Sequence, residues 1–515
     1  MKTLPVLLKD GYKVGHKFQY PPNTTMVYSN LTPRSTRVQG DDGVIFFGLQ
    51  AFILEYLIKQ FDQNFFNQPK ADVMKIYDRR ITNYLGPTDS SHIGALHDLG
   101  YLPLKIKALP EGSMVPLRVP VLTIRNTHPD FFWLTNMLET LMSAELWGPS
   151  TSATTAFHYR KTFERYAELT GAPKAFVPWQ GHDFSMRGMM GVNASAMSGA
   201  GHLLSFTGTD TIPAIDFLEE YYGADCEKEL IGGSVPATEH SVMSMGMKEG
   251  EIETFKRLIT EIYPKGIVSV VSDTWDFWGV IGTYLPLLRE IILTRDGKLV
   301  IRPDSGDPVK IICGDPESNV ECVRRGAIQC LWDVFGGRTN EASYKELDPH
   351  IGLIYGDSIT RERQDAILGG LAAKGFASSN VVLGIGSYTY QCVTRDTYGW
   401  AMKATYGEMK EPLNEFELGE VDPSDDQLFK TVGQPIFKKP ATDDGTKNSA
   451  KGLLALFREG DRGVIGHPAD EPLYCVEDVD WKQEDRGCLE TVFLDGELKR
   501  FEKLSEIRAR VEGYL

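Results

Sequence analysis

The chain has 515 residues, 42% apolar and 10% aromatic, an ordinary globular composition that excludes wholesale disorder and allows roughly two to four domains. Its 54 basic against 70 acidic residues leave a net charge of -16, which excludes a broad electrostatic footprint for nucleic acid or anionic lipid, so an anionic ligand needs a local basic pocket. The 7 cysteines (Cys226, Cys313, Cys322, Cys330, Cys392, Cys475, Cys488) are odd in number and form no C-x-x-C pair, which argues against a disulfide framework or thiolate metal site and for a reducing cytoplasm.

In chain order, the first apolar run, Leu4 to Leu8, is broken by Pro5 and is too short for a signal sequence, and no apolar run approaches the length of a membrane span. Extended segments at Leu104 to Ala108 and Val115 to Ile124, interrupted by Pro110, Gly112, Pro116 and Pro120, predict an α+β domain over 1–172. From about 175 to 395 one unit recurs: a short apolar run, a Gly/Asp/Ser/Arg loop, then helical periodicity. Ile267 to Val271 leads into Ser272-Asp273, Leu299 to Ile301 into Arg302-Pro303-Asp304-Ser305-Gly306, Ile351 to Tyr355 into Gly356-Asp357-Ser358, and Val381 to Leu383 into Gly384-Ile385-Gly386-Ser387. Thr360 to Lys374 reads as a helix, with Thr360 as cap, Ile367, Leu368 and Leu371 on one face, and Gly375 as stop. Alternating βα units predict an α/β sheet or (β/α) barrel over 173–395, with ligands at the carboxyl ends of the strands, where the polar loops fall. The remaining 396–515 is expected to pack with the first domain; its acidic stretch Glu408 to Asp426 reads as a surface loop, and turn signals follow at Asp461-Arg462-Gly463 and Asp495-Gly496.

Several of these loops carry candidate chemistry. Arg302, at a strand end, can fork onto a phosphate, with Asp304 holding Mg²⁺ through water; the alternative is a surface Arg/Asp turn. Gly384 and Gly386 can bring backbone N–H groups to a phosphate or simply mark a tight turn. In Gly233 to Ser241, His240 can be a general base, a phosphate acceptor or a core histidine, with Glu239 adjacent and Asp273 at a following strand end. Phe184 and Arg187, in His182 to Gly188, suit a flat heteroaromatic ligand with an anionic group, or a core Phe beside a surface Arg. Asp210, in Gly208-Thr209-Asp210-Thr211, can accept an amide N–H or cap a helix. A Walker-type phosphate loop, a G-x-G-x-x-G fingerprint after a first strand and a G-x-S-x-G elbow are all absent.

Taken in order, several segments resemble the nicotinate/nicotinamide phosphoribosyltransferase family of type II phosphoribosyltransferases. They are Asp10 to Lys13 with Tyr20 to Thr24, Phe47 to Gln50, Asp183-Phe184 with Arg187-Gly188, Gly208 to Thr211, Ser234 to Pro236 with Glu239 to Ser241, Val270 to Asp273, Ile301 to Gly306 and Thr394 to Asp396. The resemblance implies an irregular (β/α) barrel with an additional α+β domain built from the N- and C-terminal segments. It implies a homodimer that transfers ribose 5-phosphate from phosphoribosyl pyrophosphate to nicotinamide, with Mg²⁺ as cofactor and ATP as co-substrate.

By the same resemblance, Phe184 and the partner's Tyr12 clamp the pyridine ring, and Asp210 receives the carboxamide N–H. Arg187, Arg302, Gly384 and Arg395 match positions holding the ribose phosphate or the pyridine–ribose end, with Gly356, Asp357 and Gly386 as further substrate contacts, and Asp304 contacts ribose or metal-bound water. His240 matches the histidine phosphorylated by ATP, flanked by Glu239 and Asp273, while Arg34, Lys403 and Lys438 resemble pyrophosphate or nucleotide contacts supplied by the partner subunit. The chain departs from the family at Ser185-Met186, in its short Gly384-Ile385-Gly386 loop, and in the acidic stretch, which resembles an insertion. The nearest rival reading is the same reaction on nicotinate, which Asp210 disfavours by repelling a carboxylate. A non-catalytic binding protein and a quinolinate-type decarboxylating transferase are further from the residue set.

Overall fold

A computed structural model describes residues 3–356, 358–413, 429–442, 449–458 and 473–515. The chain forms two compact units: the first takes in Met1–Thr151, Tyr221–Gly223 and Thr394–Tyr514, the second Ser152–Glu220 and Ala224–Val393. The chain passes from the first to the second at Thr151–Ser152, inside the helix Glu139–Thr170 and two residues after its internal Pro149.

The first unit is built on a seven-stranded sheet in the order Phe429–Pro435, Trp400–Pro412, Thr24–Pro33, Leu122–Asn126, Leu104–Ala108, Glu490–Leu494, Glu497–Leu498. Every neighbouring pair is antiparallel, and the three N-terminal strands form the centre of the sheet with two C-terminal strands on each side. The run expected at Val115 to Ile124 is two strands, Met114–Pro116 and Leu122–Asn126, since Pro116 and Pro120 cannot donate to a ladder. The acidic stretch begins inside the long strand Trp400–Pro412, whose Glu408 pairs with Gly433, so 408–412 is sheet rather than loop. The rest of that stretch, 414–426, and the turn at 461–463 lie outside the described residues. The other turn, Asp495-Gly496, closes the last hairpin with φ of 49° and 89°, the left-handed pair that a tight two-residue connection requires.

The second unit carries a six-stranded sheet in the order Gly208–Thr209, Gly181–Asp183, Val381–Ile385, Ile351–Tyr355, Asp296–Arg302, Lys265–Val271, parallel throughout. The apolar residues Ala175 to Val177 are helical, and the strand follows them at Gly181–Asp183. The segment Gly233–Thr238 bonds to both edges of this sheet. On one side Thr209 N–H donates to Gly233 O at 3.0 Å and Gly233 N–H to Thr207 O at 2.8 Å. On the other, Thr238 N–H donates to Ser269 O at 3.0 Å and Ser269 N–H to Pro236 O at 2.8 Å. The parallel sheet therefore closes on itself as an irregular barrel. Val268, Val270, Leu299, Ile301, Leu353 and Leu383 are buried in its core, and helices such as Arg361–Ala373, capped by the Thr360 hydroxyl, cover it.

By length and composition alone the helical run Phe277–Thr294 is long and apolar enough to cross a membrane. Its Leu285, Leu288 and Ile292 are buried in the core of the second unit, as in the core helix of a globular domain.

Candidate active site

Parallel strands present their carboxyl ends on one side, and in the second unit these ends surround a cavity of about 770 Å³. Phe184 follows the strand Gly181–Asp183, Asp210 follows Gly208–Thr209, Glu239 follows the bridging segment, Arg302 and Asp304 end Asp296–Arg302, and Gly356 and Gly386 follow the last two strands. These residues and Arg187 line the cavity together, with Met189, Val192, Val242 and Tyr388 as an apolar wall.

The Phe184 ring lies over backbone: a Cβ at Gly384 would meet its Cδ2 at 2.4 Å, and one at Gly356 its Cε2 at 3.4 Å. Gly384 thus serves ring seating from within its strand, whereas Gly386 is the glycine that reaches the cavity, with open space where a Cβ would stand. Phe184 also meets His182, with centroids 4.5 Å apart and the rings tilted.

Asp210 is held by three bonds. Its backbone N–H donates to Asp183 O at 2.9 Å, and its Oδ1 accepts from His182 Nε2 at 2.8 Å and from the Ser234 hydroxyl at 2.6 Å. Burial alone pushes its carboxyl up, but these side-chain bonds and the nearby Arg302 charge bring it below the ordinary carboxylate value, so it is an anion at neutral pH.

The Arg302 guanidinium donates through Nη2 to Thr238 O at 2.8 Å and stands 3.6 Å from Asp304 Oδ2 through Nε, which makes no hydrogen bond. Asp304 Oδ1 is buried without a partner, and burial raises this carboxyl above its ordinary value, with the Arg302 charge opposing. Arg187 is exposed at the cavity, and its guanidinium makes no hydrogen bond or ion pair among the described residues.

His240 opens a short helix, His240–Met245, with its side chain 50% exposed. Its Nδ1 is 3.1 Å from the Thr274 hydroxyl, and its Nε2 is 3.8 Å from Oδ1 of the buried Asp273. Glu239 accepts a hydrogen bond from Ser241 rather than from the imidazole. Asp357 lies outside the described residues.

Tyr12, Arg34, Arg395, Lys403 and Lys438 belong to the first unit. Tyr12 is 65% exposed, with Lys13 Nζ 5.2 Å from its ring centroid. Lys403 has its ammonium lowered by desolvation and by the neighbouring Arg34, Arg395 and Lys13, while Glu139 opposes the shift. These cations form one basic cluster around Lys403. Lys438 is exposed; its backbone N–H donates to the Ser449 hydroxyl at 2.8 Å and its carbonyl accepts the Ser449 N–H at 3.2 Å.

Sequence reasoning passed over His182 and Ser234, although both fall in the quoted loops. Their role is a contact between strand ends, and no spacing along the chain encodes it.

The nicotinate phosphoribosyltransferase (NAPRTase) family model matches residues 179–453, and the nicotinamide phosphoribosyltransferase N-terminal domain model matches residues 5–106. A nicotinamide phosphoribosyltransferase of Acinetobacter baylyi is 51% identical over 525 residues, covering 99% of this chain and 97% of the relative. That of Mycoplasma pneumoniae is 34% identical over 418 residues, covering 78% and 88%. Among solved structures, nicotinate-nucleotide pyrophosphorylase from Pyrococcus furiosus superimposes with a TM-score of 0.54 at 13% identity, covering 98% of this chain and 93% of that one, which shows a shared fold. The barrel, its carboxyl-end cavity and these relatives agree: the chain belongs to the nicotinate phosphoribosyltransferase family, among its nicotinamide phosphoribosyltransferases, a group of pentosyltransferases.

Proposed function

We propose that this protein makes nicotinamide mononucleotide and pyrophosphate from nicotinamide and phosphoribosyl pyrophosphate, as a step of NAD salvage in the cytoplasm. The observation that carries this reading is Asp210, an anionic acceptor beside the Phe184 ring, held by its Oδ1. A carboxylate accepts the carboxamide N–H and repels the carboxylate of nicotinate.

The ring nitrogen of nicotinamide attacks C1 of the ribose, the C1–O bond breaks, and pyrophosphate leaves with the bonding electrons. No proton moves in this step, so the site needs orientation and charge rather than a general base. Phe184 seats the ring against Tyr12 of the partner subunit in a homodimer. Arg187, Arg302 and Arg395, with the Gly386 and Gly356 loops, hold the phosphate and ribose end, and Arg34, Lys403 and Lys438 of the partner subunit receive the pyrophosphate end. Mg²⁺ fits here as a substrate-borne ion: Asp304 offers one unpartnered buried oxygen, and the described residues hold no cluster of three or more ligating side chains. When bound, it would neutralise charge on the leaving pyrophosphate.

His240 accepts the γ-phosphoryl of ATP: a ring nitrogen attacks phosphorus, the bond to ADP oxygen breaks, and Asp273 and Glu239 offset the charge left on the imidazole. This coupling favours the product-forming state. Its support is the half-exposed ring with Asp273 behind it.

The test is product formation from phosphoribosyl pyrophosphate and Mg²⁺ with nicotinamide or nicotinate, each with and without ATP. Nicotinamide mononucleotide formation enhanced by ATP is expected; preference for nicotinate overturns the role of Asp210, and Asp210→Asn should relax the preference toward nicotinate. No acid-labile phosphate on the protein while product accumulates with ATP would overturn the role of His240.

A further inference from the structure

We infer that His182 is a positioning residue for substrate choice: by holding one oxygen of Asp210, it leaves the other as the single acceptor offered to the pyridine's amide. The inference rests on the nicotinamide reading above and extends it to a residue that does not itself touch the reacting atoms.

The strand register places His182 beside Gly208, so the imidazole and Asp210 arise from adjacent strand ends. His182 is 7% exposed, and its Nε2 stands 2.8 Å from Asp210 Oδ1. An ionised carboxylate only accepts, so Nε2 carries the proton in this bond. Ser234 donates to the same Oδ1 at 2.6 Å, which occupies both lone-pair directions of that oxygen. Among the described residues Oδ2 accepts no hydrogen bond, and the Asp210 side chain is 43% exposed at the cavity. The carboxylate is therefore fixed, charged and one-sided.

The surroundings leave the imidazole little freedom. A Cβ on Gly208 would come within 2.8 Å of His182 Nδ1, so the glycine makes room for the ring in this pose. The Phe184 ring packs on it at 4.5 Å, which couples the acceptor's position to the platform on which the pyridine lies. Without the Nε2–H bond, Asp210 keeps only the Ser234 hydroxyl on its carboxylate, is held less firmly and protonates more readily. A protonated Asp210 can donate to the carboxylate of nicotinate, and the discrimination between amide and acid weakens.

The experiment compares kcat/KM and direct binding affinity for nicotinamide and nicotinate in His182→Gln, His182→Asn and His182→Leu. A Gln places its amide N–H near the position of Nε2, whereas Asn reaches only that of Nδ1. We expect His182→Leu and His182→Asn to lower the nicotinamide-to-nicotinate ratio about tenfold, as loss of a hydrogen bond to a charged group predicts. The effect should fall on the pyridine's KM, with KM for phosphoribosyl pyrophosphate little changed, and His182→Gln should retain most of the ratio. Should the Leu variant fail to fold, the Gln-versus-Asn pair decides. An unchanged ratio in Asn, or equal ratios in Gln and Asn, overturns the inference. A preference of the unaltered protein for nicotinate overturns the parent reading instead, and is visible before any variant is made.

Discussion

Asp273 reaches from one strand end to the next and holds Asp304: its Oδ2 accepts the Asp304 backbone N–H at 2.9 Å, and also the Ser305 hydroxyl at 2.6 Å. Its Oδ1, buried and without a hydrogen bond, faces His240 Nε2 at 3.8 Å. One carboxylate thus shapes the Arg302–Asp304 loop and stands behind the imidazole proposed to carry phosphate. Asp273→Asn keeps an acceptor for the loop but removes the charge. Acid-labile phosphate incorporated from ATP should fall about tenfold or more, the cost of losing a charged partner, while ATP-independent turnover falls less. Labelling with radioactive ATP beside a product assay checks this.

Gly384→Ala should injure the site without unfolding the barrel. The added Cβ would lie 2.4 Å from Phe184 Cδ2 and 2.8 Å from the Gly356 Cα, so the ring must move. Displacing a substrate platform by about 1 Å costs up to ~100-fold in rate, so KM for nicotinamide should rise and kcat/KM fall by about ten- to a hundredfold. Steady-state kinetics measure this loss. Thermal melting of Gly386→Ala gives the contrast, because open space surrounds that position and its stability should hold.

Arg302→Lys tests the phosphate role. The guanidinium spends Nη2 on Thr238 O and leaves Nε without a hydrogen bond, a planar arrangement that an ammonium cannot reproduce. KM for phosphoribosyl pyrophosphate should rise about tenfold or more, with KM for nicotinamide less affected. Saturation curves for the two substrates separate the outcomes.

The stability of the first unit should depend on pH through Glu111. This fully buried carboxyl accepts the backbone N–H of Gly48 at 2.7 Å and of Gln50 at 2.5 Å, and the Tyr222 hydroxyl at 2.9 Å. Burial first, and the charge of Glu502 second, push it up to about 7, while the donors oppose. Because the folded value lies above the unfolded one, the protein binds more protons when folded. The stabilisation is complete below the unfolded value and is lost as pH rises through about 7, a difference on the order of 3 kcal/mol. Urea denaturation should show lower stability at pH 8 than at pH 5, and Glu111→Gln should flatten that slope.

Much of the second unit was legible because its strands are short β-branched runs. Ile351–Tyr355 matches the expected bounds, and Val381–Ile385 and Asp296–Arg302 extend theirs by a few residues. The helix after Thr360 was legible through its cap and its Ile367/Leu368/Leu371 face. Less legible was the barrel's closing segment, Gly233–Thr238. Its bonds to both edge strands are isolated bridges, and Pro236 supplies no N–H, so no strand pattern marks it. In the acidic stretch, local composition favoured a loop, but cross-strand pairing with 429–435 carries the backbone through 412 as sheet.

The residue types of the site and their order at strand ends are legible along the chain, because β-branched runs, turn residues and caps act locally and leave a trace in neighbouring positions. Which of them meet is settled in the folded barrel. That His182 and Ser234 share one oxygen of Asp210, that Gly384 seats Phe184, and that Asp273 holds Asp304 while facing His240 depend on parallel strand register. Register is set by the packing of the whole barrel, so these contacts join residues whose separation along the chain carries no information about their distance in space.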